Sequence, residues 1–246
     1  MKVPFVLTIA CSKGGVGKST VAYNLAVEFS KKYDTQVIDL DYQKSISIFN
    51  YNREQSNLEK LDITPVIKNE KHLKQIIKEN TGLIIIDTGA FDSDINRTAL
   101  LLSDMIIVPT SDSQVDLYGL ILFKKVLENL NKVKKVKALL LLNKIISRSI
   151  NKTTVSAFMK EHKNYFKLFK NLMTYRLDYK KSFETGKSVC EISSSSLLSF
   201  IKARVWCLSF FTIPNTVIFT LSFSVNSMFF SFAFCSISLF TFLIAC

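Results

Sequence analysis

Short apolar runs alternate with amphipathic segments along the first 204 residues of the chain. Continuously apolar runs are typical of parallel strands that are buried on both faces, whereas apolar residues three and four apart indicate helices. This pattern predicts strands at residues 3–10, 36–40, 83–87, 105–109, 138–142 and 168–174, and helices at 18–31, 43–53, 72–80, 95–102, 114–131 and 152–162. The alternation predicts an α/β fold with a doubly wound, mostly parallel sheet flanked by helices, whose ligands bind at the carboxyl ends of the strands.

The pattern stops abruptly after Arg204. Residues 205–246 include no Asp, Glu, Lys, Arg or His, and half of the 20 phenylalanines of the chain lie there. The segment is long enough for two membrane spans of about 20 residues, but its many serines and the lack of a charged loop argue against a membrane hairpin. An excess of Phe, Ser and Leu is what T-rich codons give when a reading frame passes its stop. We therefore expect a domain at residues 1–204 and a frameshift or read-through product at 205–246, with a membrane hairpin or a buried helix as alternatives.

The overall charge points to an anionic partner. The formal net charge is +12 and the isoelectric point is near 9.4, which favours nucleic acid or lipid headgroups, although a generally Lys-rich surface gives the same value. The five cysteines show no spacing of a metal site or a disulfide framework, so we expect a reducing cytoplasm. The first apolar run is too short for a signal peptide, and we interpret it as a strand.

A glycine-rich loop joins the first predicted strand to the first predicted helix. It reads Ser-Lys-Gly-Gly-Val-Gly-Lys-Ser-Thr over residues 12–20, and its place between strand and helix is typical of a phosphate-binding P-loop. Loop amides would surround the phosphates, Lys18 would reach the β and γ phosphates, Ser19 would ligate Mg²⁺ and Thr20 would touch the α phosphate. We predict ATP and Mg²⁺ as ligands, rather than a glycine turn that binds nothing. The predicted nucleotide-binding residues are Lys13, Gly14, Gly15, Val16, Gly17, Lys18, Ser19 and Thr20.

The loop departs from the strict P-loop pattern, because Ser12 replaces the first glycine and Lys13 precedes the next two. Lys-Gly-Gly-Val-Gly-Lys-Ser-Thr resembles the deviant Walker A box of the ParA/MinD superfamily. The resemblance implies a SIMIBI-like P-loop NTPase fold and an ATP-dependent homodimer. In that dimer Lys13 would contact the partner subunit's ATP and, with Lys18, take part in catalysis. An ordinary surface lysine is the alternative.

Two further strand ends carry acids. Residues 36–43 are similar to the family's Asp-x-Asp-Pro-Gln box, with Tyr42 in place of the proline, which implies that Asp41 orients the attacking water and that Asp39 supports the magnesium shell. Asp87 ends an apolar strand in the manner of a Walker B acid and would hold Mg²⁺ through water. Each acid alone could instead cap a helix.

The resemblance covers roughly residues 1–200. It includes residues 96–110, a helix that leads into an apolar strand and a proline, and the following Asp-Leu-Tyr-Gly-Leu at residues 116–120. It also implies that Asn143, at another strand end, contacts adenine. A turn-forming role is the commoner explanation of such an asparagine.

The chain resembles the short ParA proteins, which have no helix-turn-helix domain ahead of the ATPase. Residues 175–189 are similar to the region where those proteins carry cations for nonspecific DNA, which makes Arg176, Lys180, Lys181 and Lys187 candidate DNA contacts. A solvated basic face is the alternative. The lysines at residues 132–137 follow a predicted helix, and charge–dipole stabilisation explains much of that cluster.

These observations predict a DNA partition ATPase that dimerises with ATP, binds DNA nonspecifically at the nucleoid and hydrolyses ATP when a partner stimulates it. The partner would be a centromere-binding ParB-like or ribbon-helix-helix adaptor. A MinD-like membrane-associated regulator or a cargo-positioning ATPase is the alternative, with membrane association only if residues 205–246 are genuine. An iron–sulfur reductase is excluded by the absence of a suitably placed cysteine pair.

Overall fold

The computed structural model describes residues 4–64, 66–146, 152–169 and 171–192 of the 246-residue chain. Within them, one seven-stranded sheet has the order β3-β2-β4-β1-β5-β6-β7, and every neighbouring pair is parallel. The predicted doubly wound sheet is therefore confirmed. Its strands are β1 (Phe5–Ile9), β2 (Thr35–Asp39), β3 (Asp62–Thr64), β4 (Leu83–Asp87), β5 (Met105–Thr110), β6 (Ala138–Leu142) and β7 (Phe166–Leu168).

Helices cover both faces of this sheet. Helices α1, α2, α7 and α8 pack together on one face, and α3, α4 and α5 pack in sequence on the other, where Phe158 brings α6 into the same core as α5. Their bounds are α1 (Lys18–Ser30), α2 (Ser45–Gln55), α3 (Glu70–Glu79), α4 (Asp94–Leu102), α5 (Gln114–Leu130), α6 (Lys152–Glu161), α7 (Asp178–Thr185) and α8 (Val189–Ile192).

Burial explains why the central strands are uninterrupted apolar runs. All five residues of β4 are buried, including its terminal Asp87, because β4 lies between β2 and β1 and has helices on both faces. The polar ends of the helices are capped locally. The side chains of Asn69, Ser93 and Ser113 accept hydrogen bonds from the first turns of α3, α4 and α5, which satisfies amides that the helix itself leaves unpaired.

The prediction of the last strand is wrong in its position. Strand β7 comprises Phe166–Leu168, whereas the sequence pattern predicted residues 168–174. Phe166 fills the core beside Phe158. The later stretch only adjoins the end of β6, where the amide of Met173 donates to the carbonyl of Leu142 at 2.7 Å. The short β3 and helices α7 and α8 were not predicted.

A buried arginine fastens α7 and α8 to the domain. Arg53 of α2 is 4% exposed; its guanidinium donates to the carbonyl of Gly186 at 2.7 Å and to the carboxylate of Glu191 at 2.9 Å. On α1, Glu28 accepts a hydrogen bond from Ser188 at 2.9 Å. Residues 178–192 thus belong to the same packed layer as the first two helices.

No helix in the described ranges is both long and apolar enough to cross a membrane. The predicted tail at residues 205–246 lies outside the described residues, so both its origin and its membrane hairpin stay predictions.

Candidate active site

A cavity of about 490 Å³ lies at the carboxyl ends of the central strands. This is the edge at which doubly wound sheets bind their ligands, and the volume is in the range of small-molecule sites. Predicted phosphate-binding residues and the predicted catalytic Asp41 face it together. The lining comprises Gly14, Gly15, Gly17, Lys18, Ser19, Thr20, Tyr23, Asp41, Tyr42, Gln43, Ser45, Ala90, Phe91, Lys144 and Phe183.

The glycine loop has a backbone that side chains would disturb. Gly15 and Gly17 have φ angles of 75° and 94°, a region in which L-residues other than glycine are strained. At Gly17 a Cβ atom would also lie 2.4 Å from Nδ2 of Asn143. The loop ends where α1 begins at Lys18, so the positive end of the helix dipole is at the cavity.

The two loop lysines have different surroundings. Lys18 is 5% exposed, and its ammonium donates to the carbonyl of Lys13 at 3.1 Å. Lys13 instead forms an ion pair with Asp116 in the first turn of α5, and its side chain is 34% exposed. Lys13 also packs its Cβ against Gly119, where an added Cβ would approach to 3.0 Å. The predicted intersubunit lysine is therefore held by its own subunit beside the cavity.

The carboxylate of Asp116 holds the side chain of Lys13 in place. Burial acts to raise the pKa of its carboxyl, but hydrogen bonds from Lys13 and Ser111 outweigh that effect, so the pKa lies below its ordinary value. Its second oxygen accepts from the amide of Ser111 at 3.0 Å. The sequence pattern had marked Asp116 only as part of a family motif.

Asn143 and Lys144 contact the loop from the end of β6. The Asn143 side chain is buried, and its amide group donates to the carbonyl of Val16 at 2.8 Å, which supports the loop. Asn143 is not among the residues that line the cavity. Its predicted contact with adenine stays a prediction. Lys144 does line the cavity, and its ammonium donates to the carbonyl of Gly15 at 2.6 Å.

The three predicted acids lie at the ends of the adjacent strands β2 and β4. Asp41 lines the cavity, and its carboxylate accepts from the amide of Gln43 at 3.0 Å. Asp39 is buried, and one of its oxygens accepts from the amide of Asp41 at 3.1 Å. Burial raises the pKa of Asp39 above its ordinary value. The loop between the strand and α2 is held by Lys44, whose ammonium donates to the carbonyl of Asp39 at 2.5 Å.

Asp87 is the most deeply buried of these acids. It has no exposed surface, and burial raises the pKa of its carboxyl to about 7, an effect that the nearby Ser19 hydroxyl only partly offsets. Neither carboxylate oxygen, nor Oδ2 of Asp39, has a hydrogen-bond partner in the described part of the chain. Buried polar atoms are rarely left unpaired.

A sequence model of the CobQ/CobB/MinD/ParA nucleotide binding domain matches residues 7–189, which is most of the chain. The chain belongs to the ParA/MinD family. This family is the one that the glycine loop and the two acid boxes predicted, and the matched range contains every residue of the cavity lining. The described domain is therefore a nucleotide binding domain of the ParA/MinD family.

Two curated relatives are each 30% identical to parts of the chain. One is an uncharacterized protein of Methanocaldococcus jannaschii, with 51% of this chain and 66% of that protein covered. The other is a maintenance of carboxysome distribution protein A of Gloeobacter kilaueensis, with 48% of this chain and 54% of that protein covered. The match spans less than two thirds of the length of either relative.

Solved structures of ParA/MinD proteins share the fold. An apo McdA of Cyanothece superposes with a TM-score of 0.68 at 17% identity, covering 83% of this chain and 99% of that one. MinD of Aquifex aeolicus gives 0.65 at 16% identity, with 86% and 100% covered. A putative plasmid partition protein of Borrelia burgdorferi bound to AMPPNP gives 0.57 at 22% identity, with 81% and 99% covered. At these identities the likeness shows the fold alone.

The acid oxygens of this ParA/MinD domain suit a magnesium ion. Mg²⁺ prefers carboxylate, hydroxyl and water oxygens and needs few protein ligands when phosphates supply others. The unpaired oxygens of Asp87 and Asp39 and the hydroxyl of Ser19 are such ligands. In the described residues, three or more His, Cys, Asp or Glu side chains nowhere form a metal-binding group. The acid and hydroxyl oxygens therefore fit a magnesium ion that nucleotide phosphates would also coordinate.

An aromatic wall in the cavity was missed by the sequence patterns. Tyr23 of α1 stacks on Phe49 of α2 with ring centroids 4.0 Å apart, and Phe183 of α7 approaches Tyr23 to 6.2 Å. Tyr23 and Phe183 both line the cavity. Only the docking of the unpredicted α7 on α1 and α2 brings Phe183 there, so no sequence pattern indicated its role.

The candidate DNA contacts on and around α7 are largely balanced by acids of the same segment. Arg176 lies 3.0 Å from Asp178 in an ion pair, and Lys180 lies 3.9 Å from Glu184. Lys181 is exposed and Lys187 is half-buried. DNA binding by these four residues therefore remains a prediction.

Proposed function

We propose that this ParA/MinD-family domain is a DNA partition ATPase whose dimerisation and DNA binding depend on MgATP. The observation that carries the proposal is the position of Lys13. It sits one residue ahead of the loop glycines, beside the cavity, and one third of its side chain is exposed. A cation so placed can leave Asp116 and reach the nucleotide of a second copy of the chain.

Nucleotide binding would rest on the loop and on α1. Backbone amides around Gly15 and Gly17 and the first turn of α1 would bind the phosphate oxygens, as helix N-termini do. Lys18 would exchange its contact with the Lys13 carbonyl for the β and γ phosphates. Thr20 lines the same wall and would touch the α phosphate.

Hydrolysis would rest on positioning and charge neutralisation, which supply most of phosphoryl-transfer catalysis. Asp41 would orient the water that attacks the γ phosphate, because its carboxylate faces the cavity and is held by the amide of Gln43. Lys18 and Lys13 would neutralise the developing charge. Ser19, Asp39 and Asp87 would hold Mg²⁺, which neutralises phosphate charge when bound.

The relatives support a role in positioning a large cargo. The solved structures include a putative plasmid partition protein, and one curated relative maintains carboxysome distribution. In our proposal the ATP-bound dimer binds DNA nonspecifically at the nucleoid, and a ParB-like or ribbon-helix-helix adaptor stimulates hydrolysis and releases it. The high positive charge of the chain is consistent with DNA as the anionic partner.

Sedimentation velocity and DNA co-sedimentation would test this proposal. We expect the wild-type chain to dimerise and to bind DNA with ATP, and to do neither with ADP. Lys13→Ala should bind ATP but lose both responses, whereas Lys32→Ala, an exposed lysine just after α1, should keep them. DNA binding that ignores both the nucleotide and Lys13 would contradict the proposed switch.

A second candidate is an ATPase that positions another cargo or acts at a membrane. The likeness to McdA and MinD and the carboxysome-related relative favour this class. Flotation of the full chain with phosphatidylserine vesicles would separate the two candidates. ATP-dependent flotation without ATP-dependent DNA binding would favour the membrane-associated regulator.

A further inference from the structure

Exposed lysines gather at the edge of the sheet opposite to the nucleotide cavity. Four follow α5 and precede β6, and two stand at the end of α6 and in the turn before β7. Because these lysines precede β6 and β7, they lie at the amino ends of the parallel strands, whereas the cavity lies at the carboxyl ends. The group, called the lysine face below, comprises Lys132, Lys134, Lys135, Lys137, Lys160 and Lys163, all exposed.

Backbone contacts bring these sequence-distant lysines together. The amide of Ala138, next to Lys137, donates to the carbonyl of Tyr165 at 2.9 Å. The amide of Tyr165 donates in turn to the carbonyl of His162 at 3.0 Å, so the turn that carries Lys163 lies against the start of β6. From α5, Lys124 lies 5.5 Å from the centre of the Tyr165 ring. The lysine face is therefore one surface, formed by residues 132–137 and 160–163.

The lysine face has a large uncompensated charge. Residues 131–137 contain four lysines and no acid, and residues 160–163 contain two lysines and one acid, Glu161. By contrast, residues 176–187, which include the predicted DNA contacts, contain four cations and two acids, Asp178 and Glu184. The net charge is thus +5 on the lysine face and +2 on residues 176–187.

Helix stabilisation accounts for only part of this charge. Lys134 donates to the carbonyl of Leu101 at 2.7 Å and so caps the end of α4, and Lys132 donates to Asn129 at 3.1 Å. The last turn of α5 itself has no basic residue, and dipole stabilisation acts only within the last turn of a helix. Among the residues that the structure describes, the side chains of Lys135, Lys137 and Lys163 form no hydrogen bond or ion pair.

We propose that the lysine face is the surface through which this chain binds the phosphate backbone of duplex DNA. The inference rests on the DNA partner of the proposed function and assigns the contact to a different edge. Lysine ammonium groups are point charges that suit phosphates without reading bases. Binding to a membrane surface usually also requires a sizeable apolar surface on the protein. Among the described residues of the lysine face, Val133 is the exposed apolar residue.

The position of the face also suits a nucleotide switch. A second copy of the chain that covers the carboxyl edge leaves the amino edge accessible. A dimer would then carry two lysine faces that point away from each other, and each could bind a separate DNA segment. Where both segments belong to the same nucleoid DNA, binding through the two faces at once would be tighter than one contact alone.

Fluorescence anisotropy of a labelled duplex of unrelated sequence tests the assignment. With the full chain and ATP, we expect the variant Lys135→Gln, Lys137→Gln, Lys163→Gln to bind at least about 10-fold more weakly than wild type. The slope of log affinity against log salt should fall by about 2 to 3, at about 0.9 per lost phosphate contact. The matched control is Lys71→Gln, Lys74→Gln, Lys78→Gln on α3, which removes the same charge from exposed positions; it should stay within about threefold of wild type.

Several outcomes would overturn the assignment. Equal losses in the two triple variants would show an effect of overall charge alone. A loss that follows Arg176→Gln and Lys181→Gln instead would place the contact at α7. A lysine-face variant that loses binding to phosphatidylserine vesicles but not to DNA would make the face a membrane surface, and a wild-type chain that binds no DNA would overturn both proposals.

Measurements with ATP, with ADP and without nucleotide distinguish this inference from the proposed function. If the lysine-face variant weakens DNA binding equally with ATP, with ADP and without nucleotide, the assignment stands and the nucleotide switch fails. If DNA binding requires ATP and Lys13 but is unaffected by the lysine-face variant, the switch stands and the assignment fails.

Discussion

The ammonium group of Lys13 is paired with the carboxylate of Asp116, 103 residues further along the chain. This contact competes with any contact that Lys13 makes to a second copy. Asp116→Asn removes the charge but keeps an oxygen for the amide of Ser111. Because partly exposed ion pairs contribute up to about 1 kcal/mol, we expect the variant to dimerise with ATP about fivefold more tightly, measured by sedimentation equilibrium.

Asp62→Asn, at an exposed position of β3 far along the sheet from the loop, is the control for this variant. It should leave the dimer constant unchanged. A dimer that is weaker in Asp116→Asn than in wild type would show that Asp116 supports the dimer instead of competing with it.

The loop glycines differ in how much space surrounds them. Gly17→Ala combines a positive φ angle with a Cβ atom 2.4 Å from Asn143, whereas an added Cβ at Gly14 meets no atom within 4 Å. We expect Gly17→Ala to lower the free energy of unfolding without nucleotide by about 2 kcal/mol, and Gly14→Ala by less than about 0.5 kcal/mol. Urea denaturation followed by circular dichroism measures both, and similar losses would contradict the packing of Asn143 under the loop.

Asp87 is a buried carboxylate with two unpaired oxygens. Replacing it by the neutral Asp87→Asn removes a poorly compensated charge, so without Mg²⁺ at pH 8 we expect the variant to be about 1–3 kcal/mol more stable than wild type. Addition of MgATP should raise the melting temperature of wild type but raise that of the variant much less.

Asp104→Asn serves as the comparison for Asp87→Asn. The carboxylate of Asp104 accepts a hydrogen bond from the amide of Val6 at 2.7 Å, so the same substitution there should not stabilise the protein. A destabilised Asp87→Asn variant in the absence of Mg²⁺ would show that this carboxylate has a stabilising partner after all.

The pairing of Arg53 with Glu191 predicts a dependence of stability on pH. Burial acts to raise the pKa of Glu191, but hydrogen bonds from Arg53 and from the amide of Ser188 outweigh it, so the pKa lies below its ordinary value. A carboxyl whose pKa is lower in the folded state stabilises that state above its unfolded pKa of about 4.3. The contribution is lost as the pH falls through the lower, folded value.

Glu191→Gln should therefore be about 1–3 kcal/mol less stable than wild type at pH 7, and the difference should shrink towards zero as the pH approaches about 3. Urea denaturation between pH 7 and pH 3 measures it. Glu184→Gln, whose carboxylate lies 3.9 Å from Lys180 in an exposed pair, should show no such difference. A difference in stability between Glu191→Gln and wild type that stays constant with pH would mean that the charge of Glu191 does not stabilise α8.

The central part of the fold could be predicted because its signals are local. Continuous apolar runs predicted β4 and β6 at their observed bounds, since strands buried on both faces are almost entirely apolar, with Asp87 at the end of β4 as the polar exception. The edge elements could not be predicted in the same way. Strand β7 is short and pairs on one side only, and its exposed Lys167 and Leu168 give no regular alternation.

Helix α2 shows how a single residue decides a boundary. The pattern predicted its start at residue 43, but the helix begins at Ser45, because Lys44 has a left-handed backbone with a φ angle of 51°. Its ammonium at the same time holds the carbonyl of Asp39. Neither the conformation nor the contact follows from the residue type.

The sequence by itself determined the nucleotide loop, the acids at the ends of β2 and β4 and the alternation of strands and helices, because each depends on residues close together in the chain. Only the tertiary structure decided that Asp116 holds Lys13, that Phe183 lines the cavity and that lysines from two segments form one face. These contacts join residues up to about 160 positions apart, as Tyr23 and Phe183 are, and the partners are selected by how the helices pack on the sheet. Chain-local patterns carry no information about that packing, which is why they predicted the family but not these contacts.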